Sequence, residues 1–150
     1  MTKDFPLQSI LDLSQMKLEE ATRRLGELIS GEQQAAQRLE LLAQYRDEYH
    51  ARFLAAARDG LSRDQWRNYQ SFLDKLDTAI AQARDIVAQS HQLTAAGQQD
   101  WVAKRGRVKA FDTLAQRHQA RIDYAETRQE QKALDEHSSR KHALNAKDDQ

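Results

Sequence analysis

Apolar residues recur along most of this chain with a seven-residue period, which holds one register up to residue 56 and a second from residue 66. This period keeps the same side chains turned toward a neighbouring helix, so each register predicts one long helix packed along a partner. The inward positions of the first register are Leu7, Leu11, Ser14, Leu18, Ala21, Leu25, Leu28, Glu32, Ala35, Leu39, Leu42, Arg46, Tyr49, Phe53 and Ala56. Those of the second are Trp66, Tyr69, Leu73, Leu76, Ile80, Ala83, Val87, Ser90, Thr94, Gly97, Trp101, Lys104, Val108, Phe111, Ala115, His118, Ile122 and Ala125. We call these two sets the seam.

The stretch "DGLSRDQW", residues 59–66, interrupts the pattern once. Gly60 can adopt the left-handed conformation that ends a helix. Ser62, followed three residues later by Gln65, is typical of a capping box that starts the next helix. A connection this short predicts that the second helix returns antiparallel to the first, with opposed residue numbers adding up to roughly 121.

The predicted fold is therefore all-α, with two long helices in an antiparallel coiled-coil hairpin. We expect helix one over 4–58, a turn at 59–62 and helix two over 63–136, so that residues 1–136 form the coiled coil. Residues 137–150 are polar and are expected to be a disordered tail. The second helix is the longer one, and its seam continues through Ile122 and Ala125, beyond the start of helix one.

Composition supports long helices rather than a globular core. Leu, Ile, Val and Phe make up only about a fifth of the 150 residues, and the chain has a single proline, Pro6. The 23 basic and 23 acidic side chains cancel, so no overall field attracts nucleic acid or an anionic membrane. Cysteine is absent, which suits a cytosolic protein, and neither a signal peptide nor a membrane-spanning stretch is predicted.

The sequence contains no motif of a catalytic, metal or cofactor site. A phosphate-binding glycine loop, a nucleophile elbow, a zinc-protease motif and a calcium loop are all missing. His118 lies in the seam, where a packing role is expected rather than metal ligation. The basic residues at 104–109 are scattered around a helix without an aromatic platform, which is typical of a solvated face. We therefore predict no enzyme activity, no cofactor, no metal and no nucleic-acid partner.

One flank of the predicted coiled coil is unusually apolar. The g positions of both helices lie along one edge of the seam, and near the turn they are Tyr45, Phe72, Ala79 and Ile86. The e positions of helix two on the opposite edge are Gln70, Asp77, Arg84 and His91. Apolar residues gathered on one edge indicate a protein-binding patch. They are equally typical of a widened core, and both interpretations stay open.

Two blocks carry a resemblance to a known family. "LGELISGEQQAAQRLELLAQYRDEY", residues 25–49, and "QWRNYQSFLDKLDTAIAQ", residues 65–82, resemble the FliJ family of bacterial flagellar export proteins. The glycine corner, the length and the spacing of the blocks match as well. The resemblance implies a coiled coil similar to the central stalk of rotary ATPases. It also implies that the protein acts in the cytoplasm and that its partners are the flagellar type III export ATPase, the export gate and substrate-specific export chaperones.

The resemblance also suggests partner-binding residues. The surface matching the family's export-gate contact comprises Phe72, Leu76, Ala79, Ala83, Tyr45 and Tyr49, with Ala83 standing where some members have a histidine. The seam residues near the uncovered end of helix two, which we assign to the ATPase ring, are Phe111, Ala115, Ile122 and Ala125. An apolar stripe without a helical partner is expected to gain order inside a ring that surrounds it.

The resemblance, together with the absence of catalytic motifs, implies a non-catalytic stalk and adaptor that couples the export ATPase ring to the export gate and aids the handling of substrate chaperones. Its expected location is the cytoplasm, peripherally associated with the inner-membrane export apparatus. The main alternative is a freestanding coiled-coil chaperone that escorts a secreted protein. A structural homodimer is a more distant alternative.

Overall fold

The computed structural model describes residues 4–149, and within that range the only regular elements are two α-helices. Helix α1 spans Gln8–Asp59 and contains 52 residues, and helix α2 spans Arg63–Asp148 and contains 86. The two helices pack against each other as a hairpin. The prediction of an all-α hairpin with a longer second helix is confirmed.

The turn between the helices has the predicted geometry. Gly60 has a φ of 93°, in the left-handed region, and its N–H donates to the Ala57 carbonyl at 3.3 Å. The Ser62 N–H donates to Gln65 Oε1 at 3.1 Å, while the Gln65 N–H donates to Ser62 Oγ at 3.2 Å. This reciprocal pair is the capping box. It satisfies two backbone donors that the start of α2 would otherwise leave unpaired.

Replacing Gly60 with alanine should lower the free energy of unfolding by about 1–2 kcal/mol, the cost of a Cβ in the left-handed region. Space is not the cause, because an added Cβ would meet no atom within 4 Å. Gly26 also has open space around it but lies inside α1. Gly26→Ala should therefore stabilise the protein by roughly 0.5–1 kcal/mol. Urea unfolding of the two variants should show these opposite signs, and equal shifts would contradict the strain argument.

The helix ends differ from those predicted. Helix α1 begins at Gln8 rather than near Asp4, because Pro6 restricts Phe5 to extended conformations. At the other terminus, α2 continues to Asp148 instead of ending at residue 136, through the segment predicted to be a disordered tail. That segment contains no glycine or proline, the two residues that most strongly disfavour a helix, so nothing in it stops the helix.

Contacts divide the chain into two units, one comprising residues 18–103 and the other residues 1–17 with 104–150. In the first unit every buried residue belongs to the seam: Ala21, Phe53, Leu73, Leu76, Ile80 and Ala83. The Trp101 indole N–H donates to Thr22 Oγ1 at 2.9 Å, and Thr94 Oγ1 donates to the Leu28 carbonyl at 3.3 Å. These pairs follow the predicted antiparallel register.

Gly97 lies where α1 and α2 approach each other closely in this unit. A Cβ at Gly97 would come within 2.6 Å of Leu28 Cδ1, so the missing side chain leaves room for the leucine. Thr94, one turn earlier on α2, bonds to the backbone of the same leucine. The polar and small seam residues in this region therefore fix the pairing of the helices.

The second unit pairs the described start of the chain with the C-terminal part of α2. Leu11 and Ser14 are buried, and the rings of Phe5 and His118 lie 5.7 Å apart. Phe111, Ala115 and Ile122 are half-buried, whereas Ala125 is exposed. All described residues after Glu126 are exposed. The seam is thus covered as far as Ile122, so the prediction that this stripe lacks a helical partner is wrong for Phe111, Ala115 and Ile122, and only Ala125 of the four is exposed.

Candidate partner-binding surfaces

The predicted gate patch is built around Phe72. Its ring centroid lies 4.4 Å from that of Tyr49 and 6.1 Å from that of Tyr45, which it meets edge-on at 81°. Phe72 and Tyr49 are half-buried, while Tyr45 remains 45% exposed. The patch therefore widens the core and still presents aromatic surface to solvent, and its interpretation as a protein-binding patch stays a prediction.

The six residues assigned to the gate contact do not form one surface. Leu76 and Ala83 are only 7% and 5% exposed, because both lie in the seam and face α1. Ala79 is half-buried at the g position between Phe72 and Ile86. Only the g-position side chains and the tyrosines are thus available to a partner, whereas Leu76 and Ala83 hold the helix in place beneath them.

An aromatic cluster near the turn continues the patch into the seam. Phe53 contacts Trp66 and Tyr69 with ring centroids 5.0 and 5.6 Å apart, and Tyr69 lies 5.4 Å from Tyr49. Sequence reasoning placed these residues in the seam without recognising them as one cluster. All four lie within about three helical turns of the hairpin loop, and this concentration was the available signal. The cluster anchors Tyr49, on which Phe72 rests.

The opposite edge is closed by two polar bridges between the helices. Arg46 Nε donates to Asp77 Oδ1 at 2.6 Å, and this carboxylate raises the pKa of Arg46. His91 Nδ1 lies 2.5 Å from Glu32 Oε1. The hydrogen bond with His91, followed by one with Thr94, lowers the pKa of Glu32. Sequence reasoning missed both bridges, although charged residues at the seam positions Glu32 and Arg46 were the signal.

Stability should depend on pH through Glu32. Because its pKa in the folded protein lies below the ordinary 4.5, its stabilising effect is complete above that pH and is lost as the pH falls through the lowered value. Urea unfolding of Glu32→Gln should therefore show a weaker loss of stability below about pH 4.5 than the unchanged protein. Glu27→Gln is the matched control, since Glu27 is exposed and makes no hydrogen bond within residues 4–149. Equal acid slopes for Glu32→Gln and the unchanged protein would exclude this contribution.

The residues assigned to the ATPase ring lie together on the second unit. Phe111, Ala115 and Ile122 form a half-buried line along α2, and Ala125 extends it onto exposed surface. Farther along the helix, large apolar side chains stand exposed and isolated, at 67% for Tyr124, 68% for Leu134 and 64% for Leu144. This end therefore offers a partner a helical surface with scattered apolar side chains.

The described residues contain neither a metal-binding cluster nor a membrane-spanning helix. They contain no cluster of three or more histidine, cysteine or acidic side chains that could hold a metal ion. Neither helix, as described, has a stretch long and apolar enough to cross a membrane.

Comparison with known proteins decides the family. The family model described as "Flagellar FliJ protein" matches residues 2–147. The chain belongs to the FliJ family. It is 34% identical over 140 residues to the flagellar FliJ proteins of Salmonella typhi and of Escherichia coli strain K12, a match that covers 93% of this chain and 95% of each relative. The resemblance seen in residues 25–49 and 65–82 is confirmed, and the match to the FliJ family extends over nearly the whole hairpin.

Proposed function

We propose that this chain is a non-catalytic stalk and adaptor of the flagellar type III export apparatus, which couples the export ATPase ring to the export gate. Membership of the FliJ family supports a flagellar role. The observation that carries the adaptor role is that two units of one hairpin present different surfaces. Residues 18–103 present an aromatic patch, and the other unit presents an exposed helical end.

The gate contact rests on Phe72, Tyr45 and Ala79, which remain accessible at the edge of the hairpin. Aromatic side chains that are partly buried at a rigid surface are the usual anchors of protein interfaces. Tyr49 supports Phe72 from below. Leu76 and Ala83 contribute by maintaining the backbone position of α2, because they are buried against α1.

The ring contact rests on the C-terminal part of α2. A long helix with an exposed surface on all sides fits a pore that surrounds it, and mixed charges suit a loose contact better than a fixed one. Arg121, Asp123, Glu126 and Arg128 supply charges of both signs beside Ile122. The protein acts in the cytoplasm, peripherally associated with the inner-membrane export apparatus, and it also handles substrate-specific export chaperones.

Co-purification of the full chain with the flagellar export ATPase and with the cytoplasmic part of the gate protein tests this function. The adaptor role requires binding to both. The alternative, a freestanding chaperone that uses the aromatic edge to escort a secreted protein, requires neither. Binding of a secreted protein alone, with no retention of the ATPase, would therefore favour the chaperone and contradict the stalk.

A further inference from the structure

The apolar edge of residues 18–103 extends well past the candidate gate patch. Ile86 and Leu93 follow Phe72 and Ala79 at successive g positions of α2, and they are 50% and 55% exposed. The four residues are spaced by one heptad each. Their stripe therefore runs about 30 Å along a single edge of the helix. It is far longer than the aromatic contact around Phe72.

A row of arginines lines the α1 side of the same edge. The g positions of α1 in this unit include Arg24, Arg38 and Arg52, all of them exposed. In the described part of the chain these three side chains make no hydrogen bond or ion pair. The edge assignment is supported by the contact between Tyr45 and Phe72, which are both g residues.

Arg38 is the least compensated of these charges. Its neighbours on the same face of α1, one turn to either side, are Gln34 and Leu41. Arg24, by contrast, has Glu20 and Glu27 at the corresponding positions. Charges three or four residues apart on a helix partly offset each other. The positive potential of the edge therefore centres on Arg38.

The two edges of this unit differ in whether their charged side chains pair with each other across the two helices. The e edge is closed by the Arg46–Asp77 and His91–Glu32 bridges between the helices. The g edge has no such bridge among the described residues, and its apolar stripe lies beside unpaired arginines. An apolar stripe with a basic border complements an apolar face with an acidic border.

We propose that this edge binds an amphipathic helix of a partner protein, whose apolar face covers the stripe from Phe72 to Leu93 and whose acidic side chains face Arg38. The partner helix packs as the third helix of a bundle, because apolar residues spaced by one heptad match the repeat of a second helix. The zero net charge of the chain disfavours an anionic membrane as the occupant. This inference rests on the proposed function in taking the gate as the source of the helix.

The probe is a synthetic amphipathic helix of about 24 residues, with leucines at heptad spacing and glutamates along one border, which is long enough to span the stripe. A second peptide carries lysines in place of the glutamates. Fluorescence anisotropy with the full-length protein should show binding of the acidic peptide and at least tenfold weaker binding of the basic one. Equal binding of the two peptides would overturn the proposal.

Substitutions then locate the site on the protein. Leu93→Ser and Ile86→Ser should each weaken the acidic peptide about tenfold, and Arg38→Glu about fivefold with a reduced dependence on salt. Val102→Ser is the matched apolar control, since Val102 is 56% exposed at a b position, and Arg23→Glu on the outer face of α1 is the charge control. Unchanged binding in Leu93→Ser and Arg38→Glu would overturn the proposal.

Four further outcomes separate this inference from others. Leu93-dependent binding to anionic lipid vesicles, without peptide binding, would assign the edge to membranes and overturn the proposal. Leu93-dependent self-association in sedimentation, without peptide binding, would assign it to a second copy of the chain and also overturn it. Gate binding that needs Phe72 but not Leu93 or Arg38 would overturn the inference and leave the proposed function intact. Peptide binding without gate binding would support the inference and contradict the gate as the source of the helix.

Discussion

Phe72→Ala is expected to weaken binding of the full-length protein to the cytoplasmic part of the export gate by about 30-fold or more, the size typical of an interface hot spot. Phe72 is the residue on which Tyr45 and Tyr49 converge, and it remains half-buried at an open edge. Its removal takes away the aromatic surface while leaving the seam beneath it. Isothermal titration calorimetry with the purified gate fragment measures this loss.

Leu73→Ala is the matched control for Phe72→Ala. Leu73 is 6% exposed in the seam, so its truncation should cost about 2–5 kcal/mol of stability. Phe72→Ala should cost clearly less, because its ring is only partly removed from water. If Phe72→Ala destabilises the protein as much as Leu73→Ala, and gate binding falls only in proportion to unfolding, then Phe72 is a core residue and not a binding anchor.

Truncation after Arg121 is expected to remove most of the protein's stimulation of the export ATPase while leaving its thermal unfolding nearly unchanged. The deletion removes Ile122 and Ala125 together with the exposed part of α2. Few buried side chains are lost, so little stability is lost. Stimulation is measured as ATP hydrolysis at a saturating concentration of each truncated protein.

A second truncation, after Glu136, separates the apolar line from the end of α2. It retains Ile122 and Ala125, and all the residues it removes between 137 and 149 are exposed. This shorter deletion should keep most of the stimulation. Full stimulation by the protein truncated after Arg121 would show that the ring is not engaged through this end of α2.

The heptad pattern predicted the pairing of the helices because a two-helix seam depends on few long-range choices. Once Gly60 and the Ser62–Gln65 capping box fixed the turn, the register followed, and the contacts of Phe72 with Tyr45 and Tyr49 lie where it placed them. Such local signals are strong because each depends on the conformation of one or two residues.

Other features could not be obtained from periodicity. The pattern weakens after Ala125, and the lack of apolar anchors predicts a disordered tail, yet α2 continues to Asp148 through a segment with no glycine or proline to end it. The position of Leu76 and Ala83 in the seam was visible, but the family resemblance placed them on a contact surface, and only the packing showed that α1 covers them. The polar bridges could not be predicted from periodicity. Each one forms only if a side chain at an e position of α2 reaches a seam residue of α1, and that depends on side-chain geometry.

Adding the purified full-length chain to the flagellar export ATPase tests the central proposal most directly. ATP hydrolysis and assembly of the ATPase ring are followed together, by phosphate release and by analytical ultracentrifugation, as the chain is titrated. A stalk that enters the ring predicts that both increase and saturate together, with the chain sedimenting in the ring fraction. Unchanged hydrolysis and unchanged assembly at saturating chain, with the chain sedimenting separately, would contradict the account.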